Sequence, residues 1–334
     1  AELLRGGDVV ILWGERLAHG PRGAQALTRL IRLAADTGAK LIEIPENANA
    51  RGLREVGCSP ALGPGLADAP APGRDGASIL AGLADGELTA LVTTHARTEG
   101  PKWEQALDAA AHVVAFSDFL SPALAEHANV VFPSESYAER EGTVTHTDGR
   151  IQRVRQAVGR PGAVRAAWSV IEDLLAALSS PTGAQTAAMV WQEITEAVGP
   201  YAGVTLEAMG GHGVRWAETG SAPPGELPEA PSDEAPAAGG TGLRLGSVRS
   251  LWAGPETEHS PALRFLKPEG VAELSPEDAK KRGVGAGETV TVHSNGTSVR
   301  ARAALRSAVP AGSVFLVDGG TGLPDGESVE VTRG

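Results

Sequence analysis

The chain has 334 residues, 42% of them apolar, enough to bury the cores of two ordinary domains. Its net charge of -12 lacks the Lys/Arg surplus that phosphate neutralisation requires, which excludes nucleic acid as a general partner. A single cysteine, Cys58, can neither close an intrachain disulfide nor supply the four thiolates of an iron-sulfur cluster, and no apolar run reaches the roughly 18 to 20 residues that span a bilayer.

The first third alternates short Val/Ile/Leu-rich runs with amphipathic stretches. The runs DVVILW (8–13), KLIEI (40–44), LTALVT (88–93), HVVAF (112–116) and NVVF (129–132) have strand length and are bounded by Gly, Pro or Asp. Between the first two, Ala24 to Thr37 places Leu27, Leu30, Ile31 and Ala34 on one helical face, with Gly38 as the stop. Further helices are expected at Pro101 to Ala110 and, as a short turn, at Pro122 to His127. Strand and helix in alternation imply a parallel sheet covered on both faces. Residues 45–76 show no period and are expected to form a long loop with little regular structure.

An amphipathic helix is expected over 163–178, with Val164, Trp168, Ile171, Leu174, Leu175 and Leu178 in one stripe, and a second over Ala184 to Val198. Residues 219–242 hold no large apolar side chain except Leu227 and read as a linker. Beyond it, Ser275, Pro276, the acids at 277 and 278, and Gly283 frame a short capped helix. Asn295-Gly296 between ETVTVHS and TSVRARAAL is a hairpin signal, and SVFLV and SVEVT add strands. Short strands with tight turns lose their edges by closing into a barrel. The expected organisation is therefore an α/β domain over 1–160, a helical segment over 161–218 packing on it, the linker over 219–242 and a β-barrel over 243–334. Residue 1 is Ala and a buried-type strand begins within ten residues, so the polypeptide is expected to be part of a larger protein.

Ligands of a parallel sheet bind beyond the carboxyl ends of its strands. That rule selects Gly14 to Arg16, His95 to Gly100, Ser117 to Ser121 and Pro133 onward, none of which forms a phosphate loop. The densest polar stretch, PSESYAEREGTVTHTDGRIQRVR (133–155), is read as irregular. It could hold a polar ligand, or its acids Glu139 and Glu141 could pair with Arg140, Arg150 and Arg153 to pin a loop. The eight histidines lack any metal-ligand spacing, so no metal site is expected, and no nucleophile elbow appears. Cys58, alone in a Gly/Pro loop, reads as inert.

Three segments carry a resemblance. ANVVFPSESYAEREGTVTHTDGRIQ (128–152) resembles the signature closing the α/β domain of molybdopterin oxidoreductases. PENANARGLREVGCSP (45–60) is similar to a loop of the large iron-sulfur subunit of bacterial NADH:quinone oxidoreductase. SLWAGPETEHSPALRFL and VAELSPEDAKKRGVGAGETVTV resemble the family's pterin-dinucleotide-binding barrel.

The resemblance implies a Rossmann-like parallel sheet with helices on both faces, followed by a small double-psi β-barrel. It implies a carboxy-terminal, vestigial pterin scaffold, with iron-sulfur clusters in an upstream part and no active site here. Asp118, Asp148, Glu258 and His259 match pterin-holding positions. The departures oppose a bound pterin: THARTEGP, ending at Pro101, replaces the family's Gly-x-Asn-Pro turn, Ser121-Pro122 replaces a Thr, and the barrel loop carries two acids and only Arg249 as a base. The expected partners are other subunits of the complex's peripheral arm. The expected location is the cytoplasm, against the inner face of the membrane through that complex and without insertion into it. Two readings compete: the carboxy-terminal half of an active molybdenum oxidoreductase of the formate dehydrogenase or nitrate reductase type, and a binding module unrelated to respiration.

Overall fold

The computed structural model describes residues 4–18, 22–96, 98, 100–215, 229, 242–250, 252–267, 269–294, 296–318, 323, 326 and 328–334. All but two positions of the expected linker, and Asn295 of the expected hairpin turn, lie outside the described residues. The chain divides into two compact units. One comprises Ala1–Glu15, Gly38–Thr98 and Lys102–Leu227; the other comprises Arg16–Thr37, Glu99–Pro101 and Pro228–Gly334.

In the first unit the five expected strands form β1 (Val10–Gly14), β2 (Lys40–Ile44), β3 (Ala90–Thr94), β4 (His112–Ser117) and β5 (Val130–Pro133). All their pairings are parallel, yet they make two sheets, β1-β2 and β3-β4-β5, rather than one. Alternation in a sequence specifies parallel pairing but not which strands are neighbours. On β4, Val113, Ala115 and Phe116 are buried, and since Ala115 and Phe116 point to opposite faces the strand is covered on both, as befits a central strand. By contrast Val10 and Leu12 on β1, Val92 on β3 and Val130 on β5 are exposed, Val92 to 66%.

Helix α1 (Gly23–Thr37) stops where Gly38 adopts φ +71°, a left-handed conformation that glycine enters without a Cβ clash. The stretch expected to be loop is more regular: it contains α2 (Ala50–Glu55) and a 3-10 turn at Pro64–Leu66, and α3 (Gly76–Ala84) follows it. Helix α3 packs Ile79, Leu80 and Leu83 into the core from one face, and its start is fixed by Asp75, whose carboxylate accepts from Ser78 N at 2.7 Å. Helices α4 (Pro101–Ala109) and α5 (Pro122–His127) complete the layer around β3-β5. Leu83 of α3 and Leu107 of α4 are buried with Leu91 and Val113.

The polar stretch 133–155 is not irregular. It forms the antiparallel hairpin β6 (Gly142–Thr145) and β7 (Arg150–Val154). After α6 (Ala167–Ala177), α7 (Ala187–Ala197) and α8 (Leu206–Met209), the two-residue strand β8 (Val214–Arg215) joins it. Nor do its acids pin a loop through the arginines: Glu139 accepts from Ser136 N, whereas Arg140 donates to Glu135 O and Arg150 to His212 O.

The second unit contains β9 (Leu243–Val248), α9 (Pro255–His259), β10 (Val271–Leu274), α10 (Pro276–Lys281), β11 (Thr289–Ser294), β12 (Thr297–Leu305), β13 (Ser313–Val317) and β14 (Ser328–Arg333). The strands close a six-stranded barrel in the order β10-β12-β11-β14-β9-β13, with β10-β12 and β9-β13 parallel and the other pairs antiparallel. Alternate residues point inward, which buries Leu243, Leu245, Ala272, Leu274, Val290, Val292, Val314 and Leu316 in one core.

Asp278, 4% exposed, pins α10. Its carboxylate accepts from Gly312 N and Ser275 Oγ, both at 2.7 Å, and Arg282 stands beside it. Burial pushes this carboxyl up, but Ser275, the Gly312 N–H and Arg282 outweigh it and hold the net value below the usual aspartate range. A depressed folded value means that the stabilisation is complete above the ordinary aspartate value and is lost as pH falls through the lowered one. Asp278→Asn is therefore expected to cost about 1–3 kcal/mol at neutral pH. Urea titrations should show the gap to the unsubstituted protein closing in acid; a gap independent of pH would refute the assignment.

Candidate functional site

The segment after β2 and the hairpin β6-β7 interlock through short-range geometry. Asn49 adopts φ 64°, which turns its side chain away from capping α2 and lets Oδ1 accept from Thr145 N at 2.8 Å. Asparagine tolerates this left-handed conformation better than most residues. Gly52 lies directly beneath: a Cβ there would sit 2.1 Å from Asn49 Oδ1 and 3.1 Å from Thr145 Oγ1. Arg51 spans the same gap, donating to Thr147 O and, from Nε, to Glu55 Oε1 at 2.7 Å.

Beneath this clasp is a buried polar node. Glu55, 4% exposed, accepts the Tyr201 hydroxyl, which also lies 2.7 Å from Thr145 Oγ1. Burial pushes the Tyr201 hydroxyl well above the usual tyrosine range, and the Glu55 bond adds to the shift, so it stays protonated and donates. The Tyr201 ring stacks on Trp191 at 5.6 Å between centroids, and Trp191 Nε1 donates to Val204 O at 2.8 Å.

Against this node lies a cavity of about 360 Å³, within the range of small-molecule sites. Its walls come from α2, β6, β7, α6, α7 and Leu206. Leu53, Val56, Val190, Ile194 and Trp191 make it mostly apolar, and Asn49, Thr143, Thr145, Trp168, Glu141 and Arg153 add polar groups.

A second polar group gathers at the carboxyl ends of β3 and β4. His95 adopts φ 50°, with Nδ1 3.9 Å from Asp118 Oδ1 and Nε2 3.5 Å from Arg140. Burial lowers its pKa, and Arg140 adds to this against the opposing pull of Asp118, so the imidazole is biased toward its neutral form. Glu135, buried behind it, pairs with Arg160 and accepts from Ala167 N. At the start of α5, Ser121 Oγ accepts from Leu124 N and lies 2.9 Å from Thr98 Oγ1.

The four sequence-selected positions fall in different local settings. Asp118 faces His95. Asp148 belongs to the β6-β7 turn, where His146 Nδ1 at 2.8 Å, the Arg150 N–H and Arg215 hold its carboxyl below the usual range. Glu258, on α9, is paired with Lys267, and His259 ends the same helix. None of the four lines the cavity. Among the described residues no three His, Cys, Asp or Glu side chains are grouped so as to hold a metal ion. The cavity was missed because its walls are apolar residues that read as core. The available signal was the scarcity of aromatics: Trp168, Trp191 and Tyr201 meet at one place in a chain with only 4% aromatic residues.

Comparison with known proteins gives this arrangement a family. Residues 1–177 match the molybdopterin oxidoreductase model, and residues 243–332 match the molydopterin dinucleotide binding domain. The chain is 29% identical, over 92% of its length, to the alpha subunit of NADPH-Fe(3+) oxidoreductase from Geobacter sulfurreducens. It is 31% identical, over 89% of its length, to the G subunit of NADH-quinone oxidoreductase from Mycobacterium bovis. It spans 38% and 37% of these two relatives. Among solved structures, acetylene hydratase from Pelobacter acetylenicus superposes with a TM-score of 0.52 at 15% identity, covering 74% of this chain and 40% of that one. With matches to its α/β part and to its barrel, in that order, the chain belongs to the molybdopterin oxidoreductase family.

Proposed function

We propose that this chain is the pterin-fold scaffold of a large electron-transfer subunit of the NADH-quinone oxidoreductase type, with no active site of its own. Its similarity to the mycobacterial NADH-quinone oxidoreductase chain supports the assignment to that complex. The observation that carries the scaffold role is the state of the matched positions. Asp118, Asp148 and Glu258 are carboxylates, each matched by a basic side chain of this chain: His95, Arg215 and Lys267.

A pterin dinucleotide brings a diphosphate, which needs unspent donors and positive charge. Here it would meet three carboxylates, with Arg215 and Lys267 already engaged by Asp148 and Glu258 and His95 biased toward its neutral form, and the start of α5, where Pro122 lacks an N–H and Ser121 fills the cap. These residues do not fit the group. With one cysteine, the chain leaves iron-sulfur clusters to other parts of the subunit. Its partners are then the neighbouring subunits of the peripheral arm, at the cytoplasmic face of the membrane. Among the described residues no helix is long and apolar enough to cross that membrane.

Membership of the molybdopterin oxidoreductase family supports a second reading, the carboxy-terminal half of an active molybdenum oxidoreductase of the formate dehydrogenase or nitrate reductase type. Metal and pterin analysis of the purified full-length protein separates the two. The scaffold reading expects iron with molybdenum, tungsten and pterin far below one per chain, together with copurifying flavin- and cluster-bearing partners. Stoichiometric molybdenum or tungsten would sink it.

A further inference from the structure

The cavity beside Tyr201 has no part in a scaffold role, and its chemistry is specific. Cross-strand partners of a hairpin project from the same face. Thr143 pairs with Arg153 and Thr145 with Ile151, so Glu141, Thr143, Thr145 and Arg153 share the face that lines the cavity. Glu141 and Arg153 are exposed and stand diagonally across the two strands, and neither side chain forms an ion pair or hydrogen bond with the described residues. Deeper in, the indole N–H of Trp168 is shielded from solvent and meets no acceptor among the described residues. A buried donor without an acceptor is unfavourable, and in a cavity wall it marks the place of a ligand's acceptor.

We propose that this cavity binds a small zwitterion with an apolar body, of which large apolar α-amino acids are the simplest. Its carboxylate pairs with Arg153, its ammonium pairs with Glu141, and its side chain lies among Leu53, Val190 and Ile194. The second oxygen of the same carboxylate accepts from the Trp168 indole N–H. This site is independent of the scaffold reading.

The test is a calorimetric titration of the full-length protein with L-phenylalanine, and with 3-phenylpropanoate and 2-phenylethylamine, which each lack one of its charges. Expected is saturation at one site per chain by L-phenylalanine, with a change in tryptophan emission. Because both charges are exposed, each analogue should bind about three- to fivefold more weakly. Arg153→Ala should weaken L-phenylalanine to the same degree and leave 2-phenylethylamine unchanged. Ala187→Phe, which fills the cavity, should abolish binding while the circular dichroism spectrum is retained. Absence of saturable binding, equal affinity for all three probes, or a crystal structure of the full-length protein with one of its own side chains seated in the cavity would each overturn the proposal.

Discussion

Truncation of Leu274 to alanine is expected to destabilise the barrel by about 3–4 kcal/mol, at the upper part of the range for fully buried leucines. Leu274 ends β10 with no exposed surface, and it is flanked by Leu305 on β12 and Val314 on β13. A closed barrel cannot collapse onto the vacated space without shifting two strand pairings, so most of the void would remain. Phe265, 81% exposed, provides the control: its replacement by alanine should stay within about 0.5 kcal/mol. Amide hydrogen exchange followed by mass spectrometry on peptides from β10, β12 and β13 reads the effect locally. Unchanged protection in the Leu274 variant would show that these strands do not share one core.

Glu55→Ala should produce the next largest loss, about 2–3 kcal/mol, because it removes the partner of both Tyr201 and Arg51 from a buried position. The loss stays below the full range for a buried pair because the Arg51 side chain is 30% exposed and regains water. Tyr201→Phe removes the hydroxyl's bonds to Glu55 and Thr145 but leaves the Arg51 pair in place, so it should cost about half as much. In the double variant Glu55→Ala/Tyr201→Phe the cost should fall short of the sum of the two single costs, as expected for residues of one network. Urea titrations followed by tryptophan emission, to which Trp191 stacked on Tyr201 contributes, would measure all three. A Glu55→Ala cost no larger than that of replacing the exposed Glu104 would show that the node adds nothing to stability.

The elements that were legible in the sequence are those whose own pattern determines them. KLIEI and HVVAF are apolar runs of strand length and became β2 and β4 almost residue for residue. Ser275 caps α10 as its position before Pro276 implies, and β11 and β12 pair across the turn that Asn295-Gly296 announces. The elements that were not legible depend on distant partners. Helix α2 has only six residues and no side-chain cap, so alone it would not form; Arg51, Gly52 and Glu55 hold it against β6 and Tyr201, up to 146 positions away. The hairpin β6-β7 is masked by its polarity, because its Thr, Glu and Arg side chains face a cavity rather than a core. The two segments 45–60 and 128–152, recognisable one at a time, meet through the Asn49–Thr145 bond. No reading of either segment alone could show that contact.

The exposed apolar residues of β1 and β3, Leu12 and Val92 above all, bear on how a cell would handle this polypeptide. Where such residues are contiguous on a surface they mark contacts with other protein, and when bare they promote self-association. In the proposed complex such residues would make supply self-limiting: copies made in excess of their partners would keep them uncovered, available to chaperones and proteases, while assembled copies would hide them. Stoichiometry between subunits would then be enforced by turnover as well as by synthesis.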